Sequence, residues 1–122
     1  MKYLVFLILF ALFQYSLDRY FDPDICETKQ GNSILILHHL ISAYLLTGFL
    51  FNPFYHLLAI IAVFIHWKIN RGECIITQAT NNQCKWNQNK PFKHIFKYIS
   101  SDIENYLIIT MIFYDIYLIQ KL

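Results

Sequence analysis

Four histidines, His38, His39, His56 and His66, sit inside ILHHLISAYLLTGFLFNPFYHLLAIIAVFIHW, a run from Ile36 to Trp67 without acid, lysine or arginine. Neutral imidazole nitrogens on facing helices are how helical bundles hold haem, zinc or copper. Asn52-Pro53 breaks the run, so a reversal there puts positions equally far from the turn at equal depth. His39 and His66 form such a pair, and His38 is displaced by one rise of about 1.5 Å. His56 lies beside the turn, at the opposite end. His38, His39 and His66 are therefore the candidate metal or haem ligands, and Glu73 or Cys74 just beyond His66 would add one more. Two features weigh against a ligand set. Adjacent His38 and His39 point about 100° apart around a helix, and no HxxxH, HxxH or CxxC spacing occurs. The competing reading places the histidines and Trp67 where lipid tails meet headgroups, hydrogen-bonded to lipid or loop backbone. That reading is the expected one; a proton relay is a third.

Asp115 is the other chemical candidate. An ionisable side chain within a membrane helix is a functional hypothesis by default, but Asp115 lies only about 7–8 Å from the end of its apolar run. A carboxylate solvated from outside is the expected state. It belongs on the His56 side of the bilayer, away from His39 and His66. Glu73, Cys74 and Thr77, with Asn70, Asn81 and Asn82 nearby, make a further polar cluster after the third apolar run. That cluster is an ordinary exit loop or, alternatively, a headgroup or ligand site. No GxSxG, phosphate loop or HExxH is present, and three glycines are too few to build a phosphate cradle. No catalytic residue is assigned and an enzyme is not expected. Gly48 is read as permitting close helix approach.

The elements that must position these groups are apolar. Of 122 residues 57% are apolar, 18% aromatic and 15% charged, against about 45–50% apolar and about 25% charged in soluble domains. So short a chain has too little core to hide that surplus in water. The runs are long and do not alternate, which disfavours strands, and isolated spans in lipid must be helical. The expected fold is all-α: a single membrane domain, 1–122, with four transmembrane helices at about 3–18, 33–51, 54–70 and 104–120. The middle two form a tight hairpin, and Asn32 or Ser33 is the expected N-cap of the second. The count falls to three if the first run is a signal peptide. Bulky QYSLDRYF offers no small-x-small cleavage site, so an uncleaved span is expected.

Between the last two spans, Phe92, Ile95, Phe96 and Ile99 recur at helical spacing with Lys90, Lys93 and Lys97 on other faces. This is a basic amphipathic segment suited to a headgroup layer, or the first turns of the last helix. Lys68, Arg71, Lys85, Lys90, Lys93 and Lys97 place the 68–104 loop in the cytoplasm and both termini on the opposite side. Cys26, Cys74 and Cys84 fall on that same loop side. They could supply one disulfide, which would argue for an oxidising compartment, and the pairing is left open. A net charge of +2 gives no nucleic-acid footprint. Eight lysines against two arginines, with abundant Ile, Phe, Tyr and Asn, read as translation of an AT-rich genome such as that of a large DNA virus, a protist or some bacteria.

The order His39, Gly48, His56, then Cys74, Thr77 and Asn81 resembles a family of small polytopic membrane proteins of unassigned function. In that family a helical His and Gly precede a Leu-His pair and a Cys-Pro-Leu-Thr motif; here Ile75-Ile76 stand in place of Pro-Leu. The resemblance covers about residues 33–100 and implies a multi-pass architecture only. The expected function is a structural or accessory membrane protein acting through helix and lipid contacts, with the bilayer and other membrane proteins or a second copy as partners. The alternative is a membrane-embedded haem- or metal-binding redox protein built on the paired histidines. A transporter or channel subunit is third, since four spans would need to oligomerise to line a pathway.

Overall fold

The computed structural model describes residues 1–21, 23–72, 74–84 and 101–122. Its elements are α1 (Lys2–Phe21), α2 (Lys29–Thr47), a 3-10 turn (Gly48–Leu50), α3 (Pro53–Ile69), α4 (Ile75–Cys84) and α5 (Ser101–Lys121). No strand occurs among the described residues, so the all-α expectation holds. Two helices, Lys2–Phe21 and Lys29–Leu50, are long and apolar enough to cross a bilayer, and the apolar helix Pro53–Ile69 is shorter. The amphipathic segment expected around Phe92–Ile99 lies outside the described residues.

The helix ends follow local chemistry. The Thr28 hydroxyl accepts the Gly31 amide at 3.0 Å, capping α2. The helix thus starts one turn before the expected cap at Asn32 or Ser33. An oxygen acceptor at Thr28 satisfies one of the orphan amides that would otherwise face an unpaired end. Asn32 instead takes the Tyr15 hydroxyl on its Oδ1 at 3.0 Å and donates to the Cys26 carbonyl. At the reversal, Asn52 Oδ1 accepts from the amides of Phe54 and Tyr55 at 3.0 and 3.2 Å, with Pro53 in the first turn. The break at Asn52-Pro53 is where the sequence placed it. The α3 terminus closes through Arg71 and Gly72, both at positive φ, with the Gly72 amide donating to the Trp67 carbonyl at 2.7 Å.

The expected tight hairpin of the second and third spans needs correction. α2 packs mainly on α1 and α4, α3 packs mainly on α5, and α2 and α3 meet lightly around the shared 3-10 turn. The reason is the placement of the polar and small side chains. α2 buries Gly31, Leu35, His39 and Ala43, a four-residue stripe that faces α1 and α4. α3 buries His56 and Ile60, and His56 reaches α5 rather than α2's outer face.

The helix α4 was not anticipated, because IITQATNNQC has no apolar run. It is held from outside itself. A Cys26–Cys84 disulfide spans 58 residues of chain and ties its end to the α1–α2 connection. Ile25, Cys26, Leu35 and Cys84 form a buried cluster there, with Tyr15 packed against it. A Cβ on Gly31 would lie 2.8 Å from Cys84 Sγ, so only glycine lets α4 come this close to α2.

The interior mixes apolar side chains, among them Ile25, Leu35, Ala43 and Ile60, with the polar Asp18, His39, His56, Thr80 and Asp115, while many large apolar side chains lie outside. The largest fully buried side chains are Leu35, His39, His56, Thr80 and Asp115. Leu9, Phe13, Leu58, Ile61, Ile65, Phe113 and Ile116 are exposed.

Candidate functional site

Two of the three main helix pairs, α1–α2 and α3–α5, are each joined by a buried histidine–aspartate pair. Between α1 and α2, His39 Nε2 stands 2.5 Å from Asp18 Oδ2. The His39 side chain is 0% exposed and that of Asp18 12%. The Tyr15 and His38 rings meet the His39 ring edge-on at 6.4 and 5.5 Å. Between α3 and α5, His56 Nδ1 stands 2.8 Å from Asp115 Oδ2, and both side chains are 0% exposed.

The second pair has the more complete geometry. The other ring nitrogen of His56, Nε2, lies 3.0 Å from the Leu45 carbonyl of α2. A carbonyl oxygen only accepts, so Nε2 carries a proton. Tyr44 and Phe49 present ring edges to the imidazole, each with centroids 5.8 Å away, and Phe49 meets Tyr114 of α5 edge-on at 5.5 Å. These rings close the site against water. Gly48 makes room for it: a Cβ there would stand 2.5 Å from His56 Cδ2. The expectation that Gly48 permits close approach is met, and what approaches is an imidazole. Asp115 Oδ1 is buried and has no hydrogen-bond partner among the described residues.

Several sequence expectations change. Asp115 is not a solvated edge carboxylate: α5 turns it inward onto His56, and the α3 packing covers it. Asp115 touches His56, so His56 is not a lone histidine. His39 and His66, expected to face each other, have different partners. His66 Nε2 accepts the Ile75 amide at 3.1 Å and so satisfies the start of α4. His38 packs beside His39 at the position given above. Of the further polar candidates, Cys74 carries a free, half-buried thiol and its carbonyl accepts the Gln78 amide. Thr77 is half-buried on α4, and Glu73 lies outside the described residues. Among the described residues no three His, Cys, Asp or Glu side chains gather to hold a metal ion. Haem ligation by His39 with His66 would require both to leave the partners they have.

Sequence reading missed Asp18. Its signal was an acid directly after an apolar run, level with a histidine on the next helix. Such a carboxylate reads by default as the end of a span. The disulfide was legible only as one of several pairings.

The dyads can hold and share protons. His56 Nε2, the nitrogen that would activate a serine or cysteine, is spent on the Leu45 carbonyl. No family model, no curated protein and no solved structure matches the chain.

Proposed function

We propose that this chain is a small multi-pass membrane protein with a structural or accessory role, whose helices are held together inside the bilayer by two His–Asp pairs. One observation carries the reading: the ionisable His39, His56 and Asp115 are fully buried and paired while leucine, isoleucine and phenylalanine side chains along α1, α3 and α5 are exposed. In water that arrangement is costly on both counts. Each exposed CH₂ forgoes about 0.8 kcal/mol of burial, and buried ionisable groups must be desolvated. In lipid both terms favour it, because inward-facing, mutually paired ionisable groups are how membrane helices carry them. Under this reading α1, α2 with its 3-10 turn, α3 and α5 cross the membrane. The 17 residues of α3 fall at the short end of the about 17–25 that a span needs, and Lys68 snorkels at its end, its ammonium 5.2 Å from the Phe64 ring. The bilayer is the principal partner.

The orientation is proposed opposite to the charge-based expectation. The Cys26–Cys84 disulfide joins the α1–α2 connection to the end of α4, and a structural disulfide persists in an oxidising compartment. Lys68 and Arg71, at the end of α3 that leads into α4, then face the same outer side as the disulfide. Alkaline carbonate extraction of membranes tests the embedding: the chain should stay in the pellet, and release into the supernatant would contradict it. An impermeant maleimide applied to intact cells tests the orientation. Cys74 should label without prior permeabilisation; labelling that requires permeabilisation would restore the charge-based arrangement.

A further inference from the structure

The charged and capped ends of the helices measure the apolar length of the molecule. Along α1, Lys2 and Arg19 stand about 26 Å apart, and the acid between them, Asp18, is turned inward onto His39. The apolar part of α2 with its 3-10 turn, Ile34 to Leu50, rises about 25 Å. In α3 the Asn52 cap and Lys68 are about 24 Å apart. In α5 Asn105 and Lys121 are also about 24 Å apart, and the acid between them, Asp115, is paired with His56. The lysines at the helix ends do not lengthen these spans, because a helical side chain leans back over the preceding turn. The Lys68 ammonium lies 5.2 Å from the Phe64 ring, and that of Lys121 5.4 Å from the Tyr117 ring. Tyrosine and tryptophan favour the boundary between tails and headgroups, and here they fall inside the charged ends. The exposed Tyr106 and Tyr117 are about 17 Å apart along α5. On α3 the exposed Tyr55 and the half-buried Trp67 are about 18 Å apart.

We propose that the protein is matched to a thin bilayer, with a hydrocarbon core of about 25 Å or less, and that its lipid partners are phospholipids with short acyl chains. The match rests on the reading that α1, α2, α3 and α5 cross the membrane. Helices tilted by the usual average of about 20° cover about 23–25 Å of the bilayer normal, against about 30 Å in a typical hydrocarbon core. The four spans agree closely, so no longer helix exists on which a thick bilayer could settle. The helix α2 is longer as a helix, but its first turn is polar, and Asn32 there is bonded to the Cys26 carbonyl of the α1–α2 connection. In a core of about 30 Å the charges of Lys2, Arg19, Lys68 and Lys121 would be drawn into hydrocarbon, or the bilayer would have to thin around the protein. Either response carries a cost that grows with each ångström of mismatch.

The test is reconstitution of the full-length chain into phosphatidylcholine vesicles of graded acyl-chain length, with hydrocarbon cores from about 23 to about 34 Å. Flotation on a density gradient reports insertion, and circular dichroism reports thermal melting. The chain should float with the vesicles and melt highest in cores of about 23–27 Å. Its midpoint should fall by about 5 °C or more between cores of about 25 and about 33 Å. Lys68→Leu with Lys121→Leu removes a charged end from α3 and from α5, so the loss in thick bilayers should shrink by about half. A bilayer effect unrelated to span length would give both proteins the same dependence. That result, an optimum at about 30 Å or above, or a midpoint independent of thickness would overturn the match and leave the embedding intact. Failure to float with vesicles of any thickness would overturn the embedding and the match with it. Where the double variant does not fold, the position of the optimum in the unmodified chain decides.

Discussion

At the residue scale, the two buried pairs set how the molecule responds to substitution. Removing one member leaves the other desolvated and alone. His56→Ala or Asp115→Ala should each cost about 3–5 kcal/mol, measured by denaturant unfolding in mixed micelles. Replacing both, as His56→Phe with Asp115→Leu, should recover most of that loss, because an apolar seam has no charge to compensate. A double-mutant cycle then gives a large coupling; simple additivity would mean that the pair is not formed. Gly48→Ala is the more sensitive probe. Its new Cβ would meet His56 Cδ2 at 2.5 Å, so the ring must shift. About 1–3 kcal/mol of destabilisation is expected, with loss of the His56 contact to the Leu45 carbonyl. The histidines were visible in the sequence, but not what they bind. A histidine's partner depends on which helix face packs on which neighbour. Two carboxylates just inside the ends of apolar runs look like solvated boundary markers until another helix covers them.

At the element scale, the caps and the covalent tie decide which segments are helical. Thr28→Ala should cost about 1 kcal/mol through loss of the Gly31 amide bond, seen as earlier fraying of α2 in amide exchange. The Cys26–Cys84 bond closes 58 residues of chain. On the chain-entropy account a loop of that size is worth about 4 kcal/mol. Cys26→Ser with Cys84→Ser should therefore lose α4 first, since that helix has little apolar surface of its own. Far-UV circular dichroism falling by about one short helix, with α1 and α2 protection retained, is the expected outcome. Reduction of the native chain should reproduce it. The apolar spans and the Asn52-Pro53 break could be read from the sequence, because hydropathy and a proline are local signals. The helix α4 could not, since it depends on a disulfide to Cys26, 58 residues away, and on the side-chain ring of His66 receiving its first amide. The expected hairpin of α2 and α3 failed for a related reason: adjacency in sequence placed them together, but the buried stripe Gly31, Leu35, His39 and Ala43 turns α2 toward other partners.

At the scale of the whole molecule, the central claim is that the exposed apolar faces of the helices meet lipid while the paired ionisable groups stay inside. Composition pointed this way, since 57% apolar residues exceed what so short a chain can bury in water. The structure adds which side chains are exposed and which are buried. This is most directly measured by spin labels on single cysteines, introduced at Leu9, Ile61 and Phe113 in a Cys74→Ser background that keeps the disulfide. In nanodiscs all three positions should collide freely with oxygen, which partitions into lipid, and scarcely with a water-soluble nickel chelate. Ready access of the chelate to these positions would contradict the account.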